Sequence, residues 1–208
     1  LYDPDIVTDA NIGRQLFGCS DLGLNKAQCL VTRVNNFFGN DWKAVPGIFP
    51  TVLKDAKRED MANITITCTD NIKSRLDLWN VLKAVPVSNY RDYETPLYWM
   101  DFGNTQSTGQ VVLGTVPKKI KQPTSELYKT VGSLKVITRL VKYARVKEED
   151  SGPSCSLAEA LEKQDLFINS TLAQLGCNLL WKMFRHGMLE HHGLFLNLET
   201  MKVNPISI

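Results

Sequence analysis

Tyr2-Asp3-Pro4-Asp5-Ile6-Val7-Thr8-Asp9-Ala10-Asn11-Ile12-Gly13-Arg14-Gln15 lies at the start of the 208-residue chain, and its reading decides the rest. An acidic residue that ends a strand of an α/β sheet can accept hydrogen bonds from ribose hydroxyls. Asn11 and Arg14 are three residues apart, so one helical turn presents both on the same side. Arg14 offers a planar fork of donors suited to phosphate oxygens. Asp21-Leu22-Gly23-Leu24-Asn25-Lys26 follows and puts a second cation near a helix start. A helix N-terminus itself favours anions. Asp70 lies just past a β-branched run. Ligands of open α/β sheets bind there, and a carboxylate in that place suits Mg²⁺ on nucleotide phosphates.

Periodicity places these residues on elements. Ala27, Leu30, Val31, Val34, Phe37 and Phe38 recur at helical spacing, with Asn25 as N-cap and Gly39 as the stop. Residues 62–68 alternate, Ile64, Ile66 and Cys68 on one face and Thr65 and Thr67 on the other, which predicts a strand. A helix follows over 72–84. Two strands are expected at 97–102 and 109–116, joined by the turn region from Gly103 to Gly109. Residues 117–154 read as a crossing segment and loop. It holds one helix carrying Leu134, Ile137, Leu140, Val141 and Ala144, then an exposed loop at 148–154. The clearest helix spans 166–186, with Ile168, Leu172, Leu175, Leu179 and Met183 on one side and Gly187 as its stop. Weak alternation over 193–206 predicts late antiparallel strands. The sum is an α/β chain with a mixed sheet flanked by helices, antiparallel at one edge, and 1–208 forming a single domain.

Composition narrows the partners. Lys+Arg 24 against Asp+Glu 22 leaves a net charge of +2, too mild to call for nucleic acid or a membrane surface. The lysines of the crossing segment lack interleaved aromatics and read as a solvated face. No apolar run approaches the roughly 20 residues that span a bilayer, and no secretory h-region opens the sequence. Five widely spaced cysteines with no Cys-x-x-Cys pair fit reduced thiols, hence a cytoplasmic location and no zinc knuckle. In that setting Asn63-Ile64-Thr65 and Asn169-Ser170-Thr171 match a glycosylation acceptor by chance. Cys29, Cys68 and Cys177 read as core, and Cys19 as exposed. His186, His191 and His192 sit near a helix end and read as surface histidines rather than metal ligands.

Four motifs in order give the chain a family resemblance. They are Asp3-Pro4-Asp5-Ile6-Val7, Asn11-Ile12-Gly13-Arg14-Gln15, Asp21-Leu22-Gly23-Leu24-Asn25-Lys26 and Cys68-Thr69-Asp70-Asn71. Together they resemble the adenylation signature of the ThiF/MoeB/ubiquitin-activating superfamily. Arg33-Val34-Asn35 and Gly109-Gln110-Val111 are similar to further family stretches. The likeness covers most of 1–116 and extends more weakly to 155–186. The variety it most resembles is the ThiF-like member of the PRTRC plasmid cassette.

The resemblance implies a Rossmann-like enzyme that uses ATP to adenylate the C-terminal carboxylate of a ubiquitin-like or sulfur-carrier protein of β-grasp type. It implies that Asp3 binds the ribose, with Asp5 beside it in the nucleotide site. Asn11, Arg14 and Lys26 contact the triphosphate, Gln15 supports that surface, and Asp70 binds Mg²⁺. A homodimer with composite ATP sites is implied as well. The family's first strand, its Gly-rich phosphate loop and a partner-subunit arginine precede the ribose aspartate, so they are expected ahead of Leu1. Cys155, in Pro153-Ser154-Cys155-Ser156, falls where relatives can carry a cysteine for thioester or persulfide chemistry. An ordinary loop cysteine is the other reading of it.

Two other functions compete. One is a nucleotide-binding scaffold of the same fold in a plasmid-maintenance complex. The other is a nicotinamide-dependent oxidoreductase, which leaves Arg14, Lys26 and Asp70 without a task.

Overall fold

In a computed structural model of the chain, Asn25 and Gly39 bound the first helix as their chemistry predicts. Helix α1 spans Lys26–Phe38; the Asn25 side chain accepts the Gln28 N–H, and Gly39 closes the helix at φ 67°. Its apolar stripe is shorter than the spacing predicts. Ala27, Cys29 and Val31 are buried, but Phe37 and Phe38 are 81% and 68% exposed.

The structure describes residues 1–86, 93–117, 119–120, 130–143 and 157–208. The chain groups into two compact units. One is Leu1–Pro50 with Asp150–Leu166; the other is Thr51–Glu149 with Phe167–Ile208.

The first unit is built from turns around α1. Val7, Phe17 and Cys29 form its core, with Leu30 packed against them. Short 3-10 turns occupy Asp9–Asn11 and Cys19–Asp21. Further along the chain, helix α4, Leu157–Lys163, packs on the first of these turns. Its strand pairing is limited, among the described residues, to isolated bridges from Tyr2 to Val45 and from Ile6 to Asn25. Asp3 therefore follows a bridge rather than ending a regular strand.

The second unit holds a five-stranded sheet in the order β1-β2-β3-β4-β5. The strands are β1 Ile64–Thr67, β2 Tyr98–Asn104, β3 Thr108–Thr115, β4 His191–Asn197 and β5 Lys202–Ser207. β1 and β2 are parallel, and the three later pairings are antiparallel. This is the mixed sheet, antiparallel at one edge, that the sequence predicts. Helix α2, Ile72–Ala84, follows β1, and helix α5, Ile168–His186, precedes β4.

Strand alternation distributes the two helices. Met100, Val111, Leu113 and Leu196 pack with Ile168, Leu172 and Leu179 of α5. Each such burial stabilises the fold by about 1.5–3 kcal/mol. The neighbours of Met100 along β2, Trp99 and Asp101, face the other way. There Trp79 of α2 stacks on Trp99, centroids 5.5 Å apart and 14° from parallel.

Three expectations need correction. In β1 the threonine face goes inward: Thr67 is buried, whereas Ile66 is 52% exposed. Among the described residues β1 pairs with β2 alone, and α5 packs over β2, β3 and β4. The helix expected through Leu134 and Ala144 contracts to the single turn α3, Ile137–Leu140. Leu134 is extended instead, because its N–H reaches the Thr115 hydroxyl at 3.1 Å and its carbonyl accepts the Thr115 N–H at 3.1 Å. Ala144 and the loop at 148–154 lie outside the described residues. Among those residues no helix is long and apolar enough to cross a membrane.

The histidines are the third correction. α5 ends at His186, and His191 and His192 belong to β4. His192 is not a surface residue: it is 4% exposed, with Nδ1 2.8 Å from the Leu113 carbonyl. Burial pushes its pKa below the ordinary value, and Lys135 adds to this, while the Leu113 hydrogen bond opposes it. The folded state thus takes up a proton at lower pH than the unfolded chain does. Stability contributed by His192 is full above the unfolded-state pKa of about 6.5 and falls as pH drops below it, by at most about 1.4 kcal/mol per pH unit. Urea melts at pH 7.5 and 5.0 are expected to show a smaller acid-induced loss in His192→Gln than in the wild type. Equal losses in both proteins would remove His192 as the cause.

Candidate functional site

The residues of the first unit that the sequence assigns to phosphate are held by contacts that a one-dimensional reading does not show. Asn11 is buried, and its Oδ1 accepts the Thr8 N–H at 2.9 Å and the Thr8 hydroxyl at 3.2 Å. Its Nδ2 takes no partner among the described residues. Arg14 does not share a helix with Asn11. It follows Gly13, which sits at φ 86°, and folds back so that Nε donates to the Ala10 carbonyl at 2.9 Å. Nη1 donates to Gln164 Oε1 at 3.1 Å, and Nη2 takes no partner among the described residues. Desolvation lowers the Arg14 pKa from its ordinary value, though an arginine stays cationic. The Gln15 N–H donates to the Asn11 carbonyl at 3.0 Å.

Lys26 is the first residue of α1, and its Nζ lies 2.9 Å from Asp5 Oδ2. The lysine side chain is largely sheltered and that of Asp5 mostly exposed. Asp3 folds its Oδ1 onto the Asp5 N–H at 2.9 Å. Asn25 performs a second task that the sequence reading missed. Besides capping α1, its Nδ2 donates to the carbonyls of Asp3 and Asp5 at 2.8 and 3.0 Å. One side chain thereby fastens the Asp3-Pro4-Asp5 stretch to the helix N-terminus.

The Asp21-x-Gly23 portion is architectural. Asp21 accepts the Gly18 N–H at 2.7 Å and a hydrogen bond from Arg33 Nη2, and these hold its carboxyl below the usual range. Gly23, at φ 79°, takes a left-handed conformation that side chains resist, which lets its N–H reach the Val7 carbonyl at 3.0 Å. Arg33 also binds the Leu16 carbonyl and lies over the Phe17 ring. Asn35 clasps Trp42 through both backbone groups at 2.9 Å.

Asp70 belongs to the second unit. The N-cap of α2 is its neighbour Asn71, whose Oδ1 accepts the Ser74 N–H at 2.8 Å. Asp70 is exposed, and its Oδ1 accepts from Asn71 Nδ2 at 2.8 Å. Among the described residues no group of three or more His, Cys, Asp or Glu side chains could hold a metal. One open carboxylate fits Mg²⁺ carried mainly by phosphates and water, not an all-protein cage.

Behind Asp70 lies a polar network that sequence reasoning missed. Arg75 of α2 pairs with Asp101 of β2, Nε to Oδ1 at 2.8 Å and to Oδ2 at 3.0 Å. The residues are 5% and 1% exposed. Thr67 donates to Asp101 at 2.8 Å and accepts from Trp99 Nε1 at 2.8 Å. The available signal was a carboxylate inside the apolar run Tyr98-Trp99-Met100-Asp101-Phe102, which must find a partner when buried.

The cysteines differ from expectation. Cys29 is buried, but Cys68 and Cys177 are exposed, as is Cys19. Cys68 falls just past β1, and Cys177 lies on the side of α5 away from the sheet core. Although the residue reaches the surface, the Cys68 thiol itself is desolvated, and this first and Asp101 second push it up to about 11, which makes it a poor nucleophile. Cys155 lies outside the described residues.

No protein-family model matches the sequence, and no curated protein matches it. Solved structures do share its architecture. E. coli MccB with MccA-N7isoASN aligns at a TM-score of 0.54 and 16% identity, over 99% of this chain and 56% of that one. E. coli MccB without a named ligand gives 0.57 and 15%, over 99% and 54%. PaaA gives 0.56 and 13%, over 100% and 63%. The chain thus spans little more than half the length of MccB. At these identities the likeness is one of fold alone.

Proposed function

We propose that the chain is the core of an enzyme that uses ATP to adenylate the C-terminal carboxylate of a peptide or small β-grasp carrier protein. The observation that carries this reading is how Asn11 and Arg14 are held. Asn11 is fixed through Oδ1 and Arg14 through Nε and Nη1, while Nδ2 and Nη2 stay unspent. Rigid side chains with donors in reserve suit an anion. ATP supplies the α-phosphorus that the carboxylate attacks and the pyrophosphate that leaves. Growing charge on the leaving oxygens calls for cations, which Arg14 and Lys26 provide. Little proton transfer is needed, so the reading assigns no histidine.

Asp3 is assigned to the ribose, Asp5 and Gln15 to the same surface, and Asp70 to Mg²⁺, which would neutralise phosphate charge. The two units together form one adenylation domain in this reading, within a cytoplasmic homodimer. Cys155, and after it Cys19, are the thiols proposed for any later acyl transfer. A second reading is a nucleotide-binding scaffold that performs no adenylation. The Lys26–Asp5 ion pair favours it, because it occupies that cation with a protein carboxylate.

Calorimetric titration with ATP is expected to show weaker binding in Arg14→Ala and in Lys26→Ala. Loss of one charge-assisted phosphate contact costs about 1.5–3 kcal/mol, roughly tenfold or more in affinity. Unchanged affinity in both variants would sink the assignment. Normal ATP binding without pyrophosphate exchange, across tested carriers, would favour the scaffold.

A further inference from the structure

We propose that Arg75, clamped by Asp101, is the positioning residue for the turn that presents Asp70. Its guanidinium lies 5.8 Å from the centroid of the Tyr143 ring and makes two sets of hydrogen bonds. Nε is spent on the Asp101 carboxylate. Nη2 donates to the Thr69 carbonyl at 2.9 Å and to the Phe102 carbonyl at 3.1 Å. The Thr69 carbonyl belongs to the peptide group that joins Thr69 to Asp70. Arg75 therefore ties that peptide to strand β2 at the step where the chain leaves β1. The proposal rests on the reading of Asp70 as the metal-directed carboxylate.

Three observations separate this from an ordinary buried ion pair. A buried pair is weak evidence of stabilisation, since desolvation offsets the attraction and apolar replacements are often neutral. Something besides stability has to account for a charge pair this deep. Second, the Thr69 hydroxyl is buried without a hydrogen-bond partner. The turn is drawn inward by its carbonyl at the expense of its side chain. Third, the space beside Arg75 is cleared by Gly103. A Cβ there would lie 3.0 Å from Arg75 Nη2 and 2.2 Å from Gln110 Nε2.

Arg75→Lys and the double variant Arg75→Met/Asp101→Asn test the proposal on the full chain. Lysine keeps a charge for Asp101, but one ammonium cannot reproduce the planar fork that also reaches the Thr69 carbonyl. The double variant leaves no unpaired buried charge, and the amide introduced at position 101 can still accept from Thr67, so one of the two is expected to fold. Amide hydrogen exchange of residues 69–72 is expected to rise about tenfold or more in the folded variants, with β2 and β3 near wild-type protection. The Mg²⁺ concentration for half-maximal ATP binding is expected to rise roughly tenfold, as in Asp70→Asn. A merely structural pair predicts a lower melting temperature with exchange rising through all of β1 to β3, and that pattern overturns the proposal. Wild-type exchange at 69–72 overturns it as well. Faster exchange at 69–72, in a protein whose Mg²⁺ demand Asp70→Asn leaves unchanged, upholds Arg75 as the positioning residue and removes Asp70 from the metal.

Discussion

Asp70→Asn is expected to lose most Mg²⁺-dependent adenylation while the protein melts as the wild type does. The fold is spared because the N-cap of α2 is Asn71, which keeps its bond to the Ser74 N–H. An exposed, nearly isosteric change away from such a cap stays within about 0.5 kcal/mol. The chemistry is not spared. A hard cation prefers an anionic oxygen, and removing it forfeits several kcal/mol of charge stabilisation, about 10²-fold or more in rate. Carrier-dependent pyrophosphate–ATP exchange, run beside thermal melts, measures both quantities. Exchange as fast as the wild type's would take Asp70 out of the mechanism.

Arg75→Met is expected to produce the largest loss of stability. It leaves the Asp101 carboxylate 1% exposed without its cation, a situation that costs about 3–5 kcal/mol. Burial already pushes the Asp101 pKa up, with Arg75 pulling it down. Without Arg75 the folded carboxyl titrates above its unfolded value. A group of that kind favours the fold at low pH and penalises it as pH rises through the raised pKa. Arg75→Met is therefore least destabilised near pH 5 and most destabilised at neutrality. Urea melts at both pH values, compared with Arg75→Met/Asp101→Asn, check this. A single variant as stable as the double at pH 7 would mean that Asp101 carries no charge worth compensating.

Much of the architecture was legible because local signals agreed. α1 and α5 combine an apolar stripe with a left-handed glycine at the end, Gly39 and Gly187. Asn25 stands where a side-chain acceptor caps the first turn of α1, whereas the cap of α2 falls to Asn71 rather than to Asp70. The errors arose where tertiary contacts decide. Phe37 and Phe38 continue the α1 period but lie past the helix face that meets the first unit's core. Leu134 has helical spacing to Ile137, yet Thr115 draws it into an extended strand-like path. His192 looked like a surface residue until β4 carried it under the Leu113 carbonyl.

The candidate site divides the same way. Ordered motifs pick out Asn11, Arg14, Lys26 and Asp70 one by one. They do not reveal that Asp5 sits on Lys26 or that Gln164 holds Arg14 from 150 residues away. The Arg75–Asp101 pair joins a helix to a strand 26 residues on, a pairing that no periodicity encodes.

Strand β5 bears on how the folded chain behaves in concentrated solution. It is the last strand of the sheet, pairing with β4, and it carries Pro205 in its interior and Lys202 at its start. A proline has no amide hydrogen to offer an incoming strand, and a lysine on an edge must be desolvated before a new neighbour docks. The opposite border, β1, is only four residues long. Among the described residues, neither border is a good template for ribbon-like growth. At these two strands, crowding thus favours encounters through side-chain surfaces over the strand-by-strand accretion that seeds fibrils.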